Sequence, residues 1–338
     1  MARKGLLRNL FYGFLLLLSV GLIVYFCVDD NNFITLINSL RYMNFFWLFF
    51  SFLAILLVWF FDSTVLYNIS KPLNALSLRK CFKCTMIGQF FSSVSPYAVA
   101  GQPMQIVYLT SQGVSAGNAM SIVVRKFLAY QTTIASYSLV VILTQFYFFE
   151  KKVNGFMYLT LIGFLSQVFI ILFILLFAKG RKFTTKLINF ILKMATKLHI
   201  IKNPNETINK IESQLQLYLD SIKDLRSDRK LQVKLYTTMF IQIAALFSIP
   251  FFIYKAFGGA GFPIISMLSA QTFITMISSA TPLPGGSGAY ESMFLVFFGS
   301  FFAHNIIKPA MLLWRFISYY SCIIVGFFFS NIKKDLVK

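Results

Sequence analysis

Thr281-Pro282-Leu283-Pro284-Gly285-Gly286-Ser287-Gly288-Ala289-Tyr290-Glu291 stands between two apolar runs, Phe262 to Ala280 and Ser292 to Phe302. With two prolines, three glycines and a carboxylate, this stretch cannot carry a helix from one run into the other. Proline removes a backbone donor, and glycine takes conformations that other residues avoid. In hydrocarbon the freed peptide groups would find no partner. Irregular backbone at membrane depth is tolerated only where protein covers it or where it lines a wet cavity. The stretch therefore predicts a broken helical hairpin facing a site. The alternative is a short loop at the membrane surface.

Composition sets the class around it. Of 338 residues, 57% are hydrophobic, 12% are charged and 41 are phenylalanine, more apolar surface than a soluble domain can hide from water. The chain reads as an all-α integral membrane protein. Its net charge of +20 falls between the apolar segments, which points to membrane orientation and anionic lipid rather than to nucleic acid. Four cysteines do not make a disulfide framework, and the Cys81-x-x-Cys84 pair lacks a second pair to complete a zinc site. There is no Gly-x-x-x-x-Gly-Lys-Ser/Thr loop, so ATP is not the obvious energy source; no cofactor and no metal are expected.

Leu6 to Val28 is long enough to span the bilayer and lacks a signal-peptide exit, so it reads as an anchor. Asn44 to Tyr67 returns. Lys71, Arg79, Lys80 and Lys83 then place this side, with the N-terminus, in the cytoplasm. Asp62 lies inside the second span, where an ionisable group is a functional candidate or one half of a pair, or is hydrated within a turn or two of the cytoplasmic interface. From Thr85 to Gln112, two legs of about ten residues flank Ser95-Pro96-Tyr97-Ala98-Val99-Ala100-Gly101-Gln102-Pro103, each long enough for half a bilayer. That predicts a first re-entrant hairpin. Ala119 to Phe149 crosses outward and Gly155 to Ala178 crosses back.

Lys179 to Lys234 carries thirteen Lys or Arg against five acids and reads as a cytoplasmic insert. Within it, the apolar period of Glu206 to Arg229 predicts an amphipathic surface helix. Leu235 to Tyr254 crosses outward, the broken hairpin follows, and Pro309 to Ser330 returns to a basic tail. The count is about six spans plus two interrupted hairpins of opposite orientation, with both termini cytoplasmic. Residues 1–149 and 150–338 then read as halves of an inverted-topology repeat, whose interrupted segments meet near the midplane. A short match supports this: Ser95-Pro96 before Gly101, and Thr281-Pro282 before Gly285 and Gly286.

Pro282-Leu283-Pro284-Gly285-Gly286-Ser287-Gly288 followed by Glu291 resembles the Pro-x-Pro-Gly-Gly-x-Gly-x-x-Glu signature of the lysylphosphatidylglycerol synthase transmembrane region. This is the flippase-like family that forms the membrane half of multiple peptide resistance factor-type proteins. Ser95-Pro96 with Gly101-Gln102, and Trp314-Arg315 with Tyr319, resemble its other blocks, so the likeness covers nearly the whole chain. Gln105 departs from an arginine that many members carry. The resemblance implies movement of an anionic or aminoacylated phospholipid between leaflets of a bacterial-type cytoplasmic membrane. In bifunctional members a soluble domain transfers lysine from lysyl-tRNA to phosphatidylglycerol. The chain stops at Lys338, directly after the last span, so that activity is not expected of it alone. A separate lipid synthase and a second copy of the chain are the partners to expect. Lysyl transfer itself and a non-transporting envelope-assembly scaffold are the competing functions.

The residues support a lipid site on physical grounds too. A charged headgroup crossing low dielectric needs fixed opposite charge, backbone dipoles and hydration. Helix starts after Gly101 and Gly288, within the Pro96–Gln102 and Pro284–Gly288 hairpins, would aim amides at a phosphate. Arg315 would fork onto a phosphate or carboxylate. Glu291 would receive an amine or a proton, or pair with Arg315. Arg125 and Lys126 would gather headgroups at the cytoplasmic mouth, or anchor the chain there.

Overall fold

The computed structural model describes residues 43–73, 76–153, 155–179, 228–278, 281 and 283–330. The expected first span, nearly all of the amphipathic insert and the basic tail lie outside these residues. Ten α-helices can be traced among the described residues: α1 Phe45–Ser70, α2 Leu78–Ser93, α3 Gly101–Ser111, α4 Ala116–Glu150, α5 Phe156–Lys179, α6 Arg229–Ala256, α7 Ile264–Ser278, α8 Ala289–Phe298, α9 His304–Arg315 and α10 Ser321–Phe329. Four stretches are long and apolar enough to cross a membrane: Phe45–Leu73, Ala116–Glu150, Arg229–Ala256 and His304–Phe329. Phe156–Leu172 and Ile264–Ser278 form shorter apolar helices. The protein is an all-α, multi-pass membrane protein.

α1 and α6 make the most extensive pairing and run antiparallel. The Asn44 side chain caps α1 by accepting from the Phe46 amide at 3.0 Å, and the Asn44 amide donates to the Ala256 carbonyl at the far end of α6 at 2.8 Å. At its own start α6 is capped by Asp228, whose carboxylate accepts from the Leu231 amide. The helix therefore begins at Arg229, six residues before the predicted Leu235, and takes Arg229, Lys230 and Lys234 into its first turns.

Two apolar clusters flank this pair. One gathers Ala54, Ile55, Val58 and Trp59 of α1 with the aromatic faces of α7, α8 and α9. The other gathers Val65, Leu66 and Ile69 of α1 with α2, α3 and the first half of α4. Each cluster thus contains one of the two hairpins.

Both hairpins are present, the first as α2 and α3, the second as α7 and α8. Their legs approach closely. A side chain at Gly101 would place its Cβ 1.9 Å from Ser92 Oγ, so the crossing of α2 and α3 requires a glycine there. The tips share one backbone. Pro96 opens a turn in which Tyr97 sits at φ 52°, ψ 15° and Ala98 at φ 55°; Pro284 opens one with Gly285 at φ 59°, ψ 16° and Gly286 at φ 62°. The hydrogen bonds match as well. Ala98 donates to Ser95 and Val99 to Pro96, as Gly286 does to Leu283 and Ser287 to Pro284. This corrects the register expected between the halves: Pro96 corresponds to Pro284, not Pro282, and Gly101 to Ala289 rather than to a glycine. The first tip holds this left-handed backbone without glycine, at about 1–2 kcal/mol per residue.

Candidate functional site

α7 carries an unusual load of buried polar residues for an apolar helix: Ser266, Ser269, Gln271, Thr272, Thr275 and Ser278. Ser269 and Thr272 satisfy their hydroxyls on their own helix, donating to the Ile265 and Leu268 carbonyls. Gln271 Oε1 and Ser278 Oγ remain buried without a partner. The polar face of α7 therefore leads inward, toward the tip that follows it.

At that tip Glu291 stands three residues into α8. One carboxylate oxygen accepts from the Gly288 amide at 2.7 Å, so the helix start expected to receive an external anion is capped from within. The other accepts from Arg315 Nε at 2.6 Å, and both side chains are about 5% exposed. Arg315 also donates through Nη2 to the Gly285 carbonyl at 3.1 Å. Its guanidinium lies over the rings of Tyr290, Tyr319 and Trp314 at 5.2, 4.9 and 5.6 Å. Arg315 thus closes α9 against the second tip, and its positive charge is matched by carboxylate, carbonyl and ring faces.

A π-turn, Phe316–Tyr320, follows Arg315 directly. Residues four apart share one face of a helix, so Tyr319 points where Arg315 points. The Tyr319 ring fills the space over Gly285, where a Cβ would lie 2.0 Å from Cε2, and its hydroxyl donates to the Ser93 carbonyl of the first hairpin at 2.8 Å. Through Tyr319 the two hairpins meet. Pro284 is buried at this junction, Gly285, Gly286 and Gly288 are half-buried around it, and on the first hairpin Pro96 and Gln102 are half-buried and Gly101 buried.

Asp62 is elsewhere. Its Oδ2 is 2.6 Å from Lys126 Nζ of α4 and its Oδ1 accepts from Gln242 Nε2 of α6 at 3.2 Å, all within the bundle. Lys126 is thus the partner of Asp62 rather than a headgroup collector at the mouth. Arg125, next to it, has Tyr236 and Asp228 at the start of α6 as its electrostatic neighbours. Gln105, where the sequence departs from the family pattern, is buried and donates to the Cys84 carbonyl across the first hairpin at 3.3 Å. Cys81, Cys84 and Cys322 are free thiols, and among the described residues no group of three or more His, Cys, Asp or Glu is arranged to hold a metal.

Sequence reasoning named Arg315, Glu291 and the tip residues, and the structure brings them together. It missed Tyr319 as the bridge to the first hairpin, Tyr290 as a face for the guanidinium, and Gln242 as the third member of the Asp62 centre. The spacing of Arg315 and Tyr319 by one helical turn was the available signal for the bridge. A family model, the lysylphosphatidylglycerol synthase transmembrane region, matches residues 11–326. A UPF0104 membrane protein of Archaeoglobus fulgidus is 24% identical over 269 residues, 78% of this chain and 80% of that protein.

Proposed function

The chain belongs to the lysylphosphatidylglycerol synthase transmembrane-region family, and from that premise we propose that it moves an anionic or aminoacylated phospholipid between the leaflets of the membrane. The observation that carries this reading is the setting of Glu291. Its carboxylate is held between a buried guanidinium and the first amide of a helix, the same pair of groups that would hold a phosphate oxygen. An internal carboxylate therefore stands where a headgroup anion would bind.

Desolvating a headgroup phosphate without compensation is prohibitive, so the anion must find its partners before it leaves water. In the proposed cycle the lipid phosphate displaces Glu291 from Arg315 and from the Gly288 amide. The freed carboxylate then meets the headgroup's ammonium where one is present, as in a lysyl lipid. The rings of Tyr290 and Tyr319 keep the guanidinium flat and dry during the exchange. The unpartnered Gln271 Oε1 and Ser278 Oγ on α7 supply polar contacts along the approach. The excess of Lys and Arg in the segments between spans orients the chain with both termini in the cytoplasm. A separate synthase would supply the aminoacylated lipid.

The test is leaflet exchange of fluorescent phosphatidylglycerol in vesicles reconstituted with the full chain. Arg315→Ala and Glu291→Gln, each verified as monodisperse and folded, are expected to lose at least tenfold in exchange rate. Wild-type exchange by both variants removes the site.

A further inference from the structure

Asp62 sits on α1 between Trp59, which belongs to one apolar cluster, and Val65, which belongs to the other. Lys126 lies ten residues into α4, about 15 Å along its axis. Together with Gln242 of α6 they form a buried centre on the seam where the two hairpin-containing cores meet. Asp62 and Gln242 are each 4% exposed. Within a membrane such a pair is costly to hold and is often functional. Gln242 uses its amide nitrogen on Asp62, and its buried Oε1 has no donor in this structure. The side chain that grips the carboxylate thus carries an unused acceptor at the same centre.

One turn after Lys126 on α4, the half-buried Tyr130 lies within electrostatic range of both Asp62 and Tyr290, and Tyr290 is a face of the Arg315 site. Among the described residues, Cys81 and Cys84 of α2 and Cys322 of α10 also lie within electrostatic range of the pair.

We propose that Asp62, Lys126 and Gln242 form a proton-binding centre that takes up one proton for each anionic lipid headgroup admitted at the hairpin junction. This rests on the translocation reading above. At rest the carboxylate and ammonium sum to zero. A proton from water forms an O–H bond on Asp62 Oδ2 and breaks the ionic contact. Lys126 keeps its own proton and turns an N–H toward Gln242 Oε1, so the centre carries +1. A phosphodiester headgroup brings −1, and the loaded protein is neutral in its interior. When the headgroup leaves, the proton leaves Asp62 and the pair re-forms. A latch merely holding α1, α4 and α6 together would exchange no proton with lipid.

The experiment is calorimetric titration of the full chain in detergent with dioctanoyl phosphatidylglycerol, repeated in buffers of different ionisation enthalpy and across pH. Wild-type protein is expected to take up one proton per lipid bound, its Kd weakening about tenfold per pH unit. Asp62→Asn, which keeps the shape and the Gln242 contact, should bind with no proton uptake and a flat Kd, and Asp62→Glu should restore the uptake. Lys126→Met should bind weakly and without uptake. Wild-type binding without a proton, or uptake retained in Asp62→Asn or Lys126→Met, overturns the proposal. Arg315→Ala separates the two readings. Unaltered lipid binding there refutes the hairpin site, while the proton count in the Asp62 series judges the coupling by itself.

Discussion

Replacing Gly285 by alanine puts three structural demands in conflict. The new Cβ would lie 2.0, 2.4 and 2.8 Å from Cε2, Cζ and Cδ2 of Tyr319, at a backbone φ of +59°. An L side chain at that φ costs about 1–2 kcal/mol. Forcing a packed ring aside costs about 1–3 kcal/mol. The ring cannot yield freely, because its hydroxyl is bonded to the Ser93 carbonyl and its face to Arg315; losing that hydrogen bond adds about 0.5–1.5 kcal/mol. Together Gly285→Ala should destabilise the protein by about 3–6 kcal/mol. Gly113 provides the calibration: it has φ +90° with nothing within 4 Å, so Gly113→Ala should show the backbone cost alone, about 1–2 kcal/mol. The assay is reversible unfolding by SDS in mixed micelles, followed by tryptophan fluorescence. In a Tyr319→Ala background the clash and the bridge are both gone, and Gly285→Ala should cost no more than Gly113→Ala. An equal penalty for Gly285→Ala with and without the Tyr319 ring would refute the reasoning.

The left-handed backbone at the first tip makes Ala98→Gly stabilising, by about 0.5–1 kcal/mol once the greater freedom of glycine in the unfolded chain is subtracted; the same unfolding assay reads it. Gly326→Ala should cost more than Gly88→Ala in that assay. The added carbon at Gly326 meets Phe90 Cβ at 2.7 Å and the Met86 carbonyl at 2.9 Å, atoms fixed to a helix backbone, whereas at Gly88 it meets the end of the Gln105 side chain at 2.3 Å, which can swing away. Overpacking puts the first at about 1–3 kcal/mol, and the lost Gln105 to Cys84 bond puts the second near 1 kcal/mol. Reversal of that order would show that the α2–α10 contact is looser than its geometry.

The helical hairpins were legible because proline and glycine inside apolar runs admit few other structures, and the Arg315 and Glu291 pairing was legible because isolated charges in a membrane seek each other. Lys126 was harder. It follows Arg125, and two adjacent cations near a helix start read as an interface signal; only the tertiary pairing across 64 residues turns one of them inward. The equivalence of the two tips was hidden for a different reason. Tyr97 and Ala98 adopt a conformation that Gly285 and Gly286 take with ease, so the two tips match in backbone angles and hydrogen bonds while their side chains differ. Tyr319 showed only its one-turn spacing from Arg315, and its carbonyl partner Ser93 leaves no mark in sequence.

That last bond joins residues 226 apart. At a synthesis rate of about 5–20 residues per second, the first hairpin waits roughly 10–45 s after Ser93 is made before its closing phenol is translated. Through that interval its tip must be inserted and held by its own turn, with Ser95 Oγ accepting from the Ala100 amide as a temporary fastening. A chain cut short before α9 would leave the Ser93 carbonyl without Tyr319, and the Gly285 carbonyl and the Glu291 carboxylate without Arg315. Such a chain would present the cell's quality control with a half-assembled bundle, so the final segment acts as the clasp that certifies a finished protein.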